Sequence, residues 1–358
     1  MNLKETISDK TRRLKEFFDR YEHRIGFGFL IAGFIFDNFT LKRIDFFLDN
    51  LVLLTYLAVI AVCIVLIDLG IKKVSYIAPY AMQFAMGGLF SGYVIFYFRS
   101  ASLTISWPFL LMLLVFFIGN EFFRRHYEVL IFRIAIFFVA VFSYFIFSLP
   151  VLFHRLGADV FILSGVLSLA VIAGLTYLIK RLAHQHTPRQ YGLIATVIGG
   201  IYLVFNLFYF TNIIPPIPLA LKDVGIYHRV ERVLGDYVAQ EERRPWYDLF
   251  GGDKIRLVSG TAVYGYSAVF APTALEGEIF HRWSFYDDAT ESWVEMSRIS
   301  FLILGGRDGG YRGYSIQQNV TPGRWRLDVV TARNQIIGRT TFRILESETP
   351  PVLQLKTL

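Results

Sequence analysis

Six stretches of roughly twenty mostly apolar residues run through the first 214 positions of this 358-residue chain: about 51–69, 77–98, 101–119, 129–148, 160–179 and 191–211. A run of that length crosses the hydrocarbon of a bilayer as one helix, because a helix satisfies its own backbone where no water can. A seventh run, about 25–41, is interrupted by Asp37 and Asn38. A mean hydropathy of +0.46 and 54% hydrophobic residues agree with a membrane protein.

Charge placement tests the seventh span. Residues 1–214 carry 19 Lys and Arg against 12 Asp and Glu, while residues 215–358 carry 17 of each. With seven spans and a cytoplasmic N-terminus, 14 basic residues flank the cytoplasmic ends and four the opposite ends. That is the positive-inside pattern, and it predicts a C-terminus outside. The basic residues are scattered between apolar runs and form no stripe, so nucleic acid is not an expected partner. Within residues 1–24, Leu3, Ile7, Leu14, Phe17, Phe18 and Tyr21 recur at helical spacing between Lys and Arg. This reads as an amphipathic cytoplasmic helix on the anionic leaflet or as a charged tail that only sets topology. The single cysteine, Cys63, lies in an apolar run, and no cleavable signal peptide is expected.

Pro215, Pro216 and Pro218 end the last span, and residues 215–251 read as a membrane-exit linker. From about 252 to 346 the pattern turns to β. In RWRLDVV, Trp325, Leu327 and Val329 share one face and Arg324, Arg326 and Asp328 the other. Some seven short strands in this stretch fit an all-β sandwich, immunoglobulin-like or of jelly-roll type, with 347–358 a tail. The fold class expected is a bundle of about seven transmembrane helices followed by an extracytoplasmic β-sandwich.

HRWSFYDD, Trp293, GGRDGGYRGYS, PGRWRLDVVT and IIGRTTFRI together resemble the domain of unknown function 2914 family over about residues 275–345. IIPPIPLALKDVGIYH and the seven-span arrangement resemble its multispan members. The resemblance implies a protein of the bacterial inner (cytoplasmic) membrane with an exported β domain, periplasmic or extracellular. It implies no known reaction.

Two groups of residues carry candidate functions. Intramembrane or interfacial charges are costly and need a reason. They are Asp37, Arg43, Asp45, Asp68, Glu121, Glu128 and Arg133. Arg133 has Glu128 and Asp68 within reach, and either pairing would lock helix packing; a proton or ion path, or a catalytic or lipid-headgroup site, are the alternatives. On the predicted topology Asp37 and Glu121 lie near opposite faces and do not share a site. In the β domain, Arg307, Tyr311, Arg312, Tyr314, Arg324 and Arg326, with His281, Trp283 and Trp293, form a candidate basic and aromatic surface. Such a surface suits carboxylates, phosphates or sugars, and the bland alternative is turn and core. GGRDGG lacks the GK[ST] and following helix of a phosphate loop and reads as a turn between strands. His184 and His186 lack a third ligand at metal spacing. No cofactor or metal is expected, and no nucleophile motif appears.

The leading functional reading is a non-enzymatic envelope protein, anchored in the lipid bilayer, whose sandwich binds a protein, glycan or lipid headgroup. The runner-up is a transporter or membrane-embedded enzyme using the intramembrane charges.

Overall fold

The computed structural model describes residues 31–41, 46–71, 77–100, 103–123, 126–183, 186–233, 235–243, 253–258, 260–272, 275–305 and 309–358. Among the described residues, five helices are long and apolar enough to cross a membrane: Phe47–Asp68, Ala78–Ser100, Leu130–Phe153, Ala158–Ala183 and Pro188–Phe210. Leu103–Gly119 is a shorter apolar helix, and residues 31–40 are helical. The amphipathic segment 1–24 lies outside the described residues. The chain divides into two compact units. One draws on Met1–Phe96, Leu110–Ile146 and Phe161–Asn206, the other on Tyr97–Phe109, Phe147–Val160 and Leu207–Leu358.

Of these five helices, Leu130–Phe153 is the most enclosed. Phe142 stacks against Phe161, Tyr202 and Phe205, with ring centroids 4.7–5.9 Å apart. Between apolar helices in lipid, such packing and interhelical hydrogen bonds supply the association that water-driven burial cannot. The bond from the Tyr93 hydroxyl to the Ala140 carbonyl, 2.8 Å, is one.

The second unit holds eleven described strands: β1 Ala220–Tyr227, β2 Arg229–Val233, β3 Asp236–Glu242, β4 Asp253–Leu257, β5 Val263–Phe270, β6 Glu276–Asp287, β7 Ser292–Leu304, β8 Tyr311–Gln317, β9 Gly323–Thr331, β10 Ile336–Glu346 and β11 Leu353–Thr357. They form three sheets, ordered β1-β5-β8, β4-β10-β9-β6-β7 and β11-β3-β2. That is one sheet more than the two of the expected sandwich. All pairings are antiparallel except β10–β4.

β5 explains the layering. In VYGYSAVF, Val263 and Val269 face the five-stranded sheet, where they join Trp283, Leu327 and Val329 in two apolar clusters. Tyr266 and Ala268 point the other way and pack on Val230 and Ala239 of the third sheet. A strand buried on both faces reads as a continuous apolar run, which β5 does. Trp283 and Trp325 are fully enclosed, and burying each side chain is worth on the order of 4–6 kcal/mol of transfer free energy.

The β region thus begins at Ala220, inside the stretch read as a linker, and continues through β11, inside the stretch read as a tail. Alternation is broken in β1 by an irregularity between Leu221 and Asp223. Residues 211–219 are themselves tied down. Asn212 Nδ2 donates to the Arg333 carbonyl at 3.4 Å, and Gln335 Nε2 donates to the Ile214 carbonyl at 3.4 Å. The Arg333 guanidinium lies 4.1 Å over the Tyr209 ring.

Candidate functional site

The outer face of the five-stranded sheet is built around one carboxylate. Register places Asp328 of β9 directly between Arg282 of β6 and Arg339 of β10. Directly opposed residues share a face, so three charged side chains meet in one row, which Arg298 of β7 extends opposite Arg282. Asp328 is wholly buried. Its Oδ2 accepts from Arg282 Nη2 at 2.7 Å and from Arg339 Nη2 at 3.0 Å. Its Oδ1 accepts from Arg339 Nε at 2.5 Å, and Arg326 Nε stands 3.3 Å from Oδ2. Burial pushes the Asp328 carboxyl up, but the hydrogen bonds from Arg339 and Arg282 and the charges of Arg339 and Arg326 outweigh it. The net direction is below the ordinary carboxylate value. Arg326 is moved down, first by burial, with Asp328 opposing.

Three guanidiniums around one carboxylate leave donors in excess. Among the described residues, the buried Nε groups of Arg282 and Arg326 meet no acceptor with hydrogen-bond geometry, the 3.3 Å approach of Arg326 to Asp328 being an ion pair only. Neighbouring guanidiniums are held over rings: Arg326 is 4.5 Å from the Trp293 centroid, Arg324 3.6 Å from Tyr286 and Arg298 4.2 Å from Phe280. Arg324 also donates to Asp288 at 2.7 Å. Stacking fixes the planar forks, which is the arrangement that recognises carboxylate or phosphate in two-point fashion.

The other β-domain candidates lie elsewhere. His281 and Trp283 are fully buried on the opposite face of β6, so neither is part of a surface. They form a core hydrogen-bond chain. Trp283 Nε1 donates to Ser315 Oγ at 2.9 Å, Ser315 Oγ is 2.8 Å from His281 Nδ1, and His281 Nε2 is 2.7 Å from Ser267 Oγ. Neutral imidazole with its proton on Nε2, assigned from these hydrogen bonds, satisfies both ring nitrogens, the Trp283 donor and the Ser315 hydroxyl. Burial holds His281 at about 3, far below the usual 6.5. The Ser267–His281 distance is that of a nucleophile and its base. Ser267 is only 2% exposed and a serine stands in the orienting position, so the pair lies within the packed core.

Tyr311 packs into the core between the first two sheets. Arg312 and Tyr314 face the third sheet, Arg312 Nη1 donating to Asp236 at 3.3 Å and Tyr314 lying 6.1 Å from Tyr237. They therefore do not join Arg324 and Arg326. Arg307 lies outside the described residues. The flanking glycines have a reason: a Cβ at Gly305 would sit 1.6 Å from the Pro272 carbonyl oxygen, and Gly310 has φ +82°.

In the helical unit, Arg133 meets Asp68, not Glu128, which is exposed in a 3₁₀ turn. Asp68 Oδ1 accepts from Arg133 Nη2 at 2.9 Å, and Arg133 Nη1 donates to the Tyr127 carbonyl at 3.1 Å. His186 Nε2 lies 2.8 Å from Asp68 Oδ2, a partner the sequence reading did not assign. Asp37 Oδ2 accepts from the Ser91 hydroxyl at 2.6 Å. Asp37 and Glu121 line one cavity of about 620 Å³, contrary to their expected separation. Arg43 and Asp45 lie outside the described residues.

Asp328, Arg282, Arg339 and Arg298 are the functional candidates the sequence reading missed as a group. The alternation of RWRLDVV put Asp328 beside Arg324 and Arg326; strand register, which brings in β6, β7 and β10, was the missing piece.

Residues 276–344, which span β6–β10 and this face, match the family model described as "Protein of unknown function (DUF2914)". No curated protein matches the chain. Among solved structures, a DNA-bound alkylpurine DNA glycosylase of Pseudomonas fluorescens aligns over 85% of this chain and 99% of its own at 7% identity. Its TM-score of 0.20 carries no argument about fold or function.

Proposed function

We propose, with residues 276–344 as a domain of the DUF2914 family, that this is a membrane-anchored protein whose β region binds an anionic group of an envelope partner. The anion is a carboxylate or phosphate borne by a protein, glycan or lipid headgroup, and the site is the outer face of the five-stranded sheet. One observation carries the reading: three guanidiniums converge on the single carboxylate of Asp328 while Arg324 and Arg326 are held on aromatic rings. The two sheets that enclose Trp283 and Trp325 are the part of the fold comparable to an immunoglobulin-like sandwich. The anchor has seven spans, with the N-terminus cytoplasmic and the β region outside, in the inner membrane of a bacterium. Positive-inside charge and five membrane-length helices support this placement.

Trp293 is the built-in reporter, since it lies under Arg326. The full chain in nanodiscs, titrated with inorganic phosphate, a dicarboxylate or phosphatidylglycerol vesicles, is expected to give a saturable change in Trp293 fluorescence. Trp293→Phe identifies that component. Arg324→Gln/Arg326→Gln should abolish the change, and Arg155→Gln, at an exposed pair with Asp159, should not. A response equal in the double variant, or none with any anion, contradicts the reading. Cysteines introduced at the exposed positions Thr187 and Gln318, with Cys63→Ser, should be labelled from opposite sides of the membrane; labelling from one side refutes the topology.

A further inference from the structure

Among its described lining residues, the cavity in the helical unit carries acidic side chains and no basic one. Its carboxylates are Asp37 and Glu121. Six aromatic rings share the remaining wall, including Phe34, Tyr56, Phe84 and Phe117. Asp37 is fixed by the Ser91 hydroxyl at 2.6 Å. Gln83 and Asn120, also in the wall, hold each other through side-chain-to-backbone hydrogen bonds of 3.3 and 2.9 Å. The polar groups are thus held by the helices themselves. At about 620 Å³ the space falls within the range of pockets that take small organic ligands.

Carboxylates in a membrane span are expensive unless a cation or a proton neutralises them. Aromatic faces attract cations through their quadrupoles and, unlike water, also accept an apolar body. A hydrated metal ion would gain little from phenylalanine walls, and an anion would meet the like charge of Asp37. We propose that this cavity binds a lipophilic organic cation, a positively charged centre carried on an apolar frame, with Asp37 as its counter-charge. This site is separate from the arginine face, and its ligand has the opposite charge.

Gly33 supplies the test. It lines the cavity, and a Cβ placed there meets nothing within 4 Å. Gly33→Leu starts from an open Cβ position and adds bulk at the cavity wall, whereas Gly33→Ala adds one methyl group. The probes are tetraphenylphosphonium and tetraphenylborate, ions of one shape and opposite charge. Binding is measured by equilibrium dialysis against the full chain in nanodiscs, with protein-free nanodiscs subtracted. Tetraphenylphosphonium should bind saturably at one per chain and tetraphenylborate should not. Asp37→Asn should weaken the cation at least tenfold, Gly33→Leu should remove its binding, and Gly33→Ala and Asp37→Glu should retain it. Equal binding of both ions, no saturable binding of the cation, or unchanged cation affinity in Asp37→Asn or Gly33→Leu overturns the proposal. Unfolding temperatures of all variants are measured alongside. If Asp37→Asn does not fold, the comparison of Gly33→Leu with Gly33→Ala decides.

Discussion

Lowering the pH from 8 to 5 should destabilise the β region through His281 alone among the groups of its core. The folded imidazole is neutral down to about pH 3, because burial removes the water that would solvate its charged form. In the unfolded chain it takes a proton near its ordinary 6.5. The folded value is depressed, so the unfolded state binds more protons as the pH falls through 6.5. Stability is therefore full above that value and declines towards pH 3. Each pH unit in this window removes about 1.4 kcal/mol, so pH 5 costs about 2 kcal/mol relative to pH 8. Against a total of roughly 5–15 kcal/mol for a domain, that loss is measurable. Asp328 does not confuse the reading: its depressed carboxyl contributes stability that is lost only below the ordinary carboxylate value of 3.8. The assay is denaturant unfolding of the full chain in detergent, followed by the fluorescence of the enclosed Trp283 and Trp325 at several pH values. His281→Gln keeps hydrogen-bonding capacity towards Ser267 and Ser315 but cannot titrate. It should lower stability at pH 8 and flatten the slope between pH 6.5 and 4 by one proton. A wild type with no slope there, or a variant with the same slope, would refute the argument.

Two further outcomes follow from the buried charges. Asp328→Asn leaves Arg282, Arg326 and Arg339 gathered without their counter-charge, and should cost about 3–5 kcal/mol. A thermal-shift measurement of the full chain at pH 7 checks it, and a change under 1 kcal/mol contradicts the geometry. Asp68→Asn and Arg133→Gln should each destabilise the helical unit, and the double variant should cost less than their sum by about 1–3 kcal/mol; additive losses would show that the two groups do not interact.

What could be read from the chain varied with the range of the physics. Helices of membrane length declare themselves through composition over twenty residues, and β9 through strict alternation, so both are visible locally. β1 hid because its irregularity at Leu221/Asp223 breaks the period of two. β5 lost its alternation by being covered on both sides. Long-range partners were less accessible. Arg133 has Glu128 five residues before it, but Glu128 stands in a separate turn, and Asp68 and His186 arrive from two other parts of the chain. The arginine face has the same character: Arg282, Arg298, Asp328 and Arg339 become neighbours only through three strand registers. GGRDGGYRGYS misled for a related reason. Its Tyr311 is core, and its Arg312 and Tyr314 face the third sheet instead of joining Arg324.

The hydrogen bonds from Asn212 and Gln335, and the ring contact of Arg333 with Tyr209, tie the β9–β10 turn to the end of the last helix. Closing a loop costs entropy that grows only slowly with its length. Residues 211–219 form such a loop between the helix end and β1, and these contacts offset the cost of ordering it. Lengthening the segment by a few residues would therefore loosen the clasp only slightly, whereas removing the Arg333 ring contact would loosen it more.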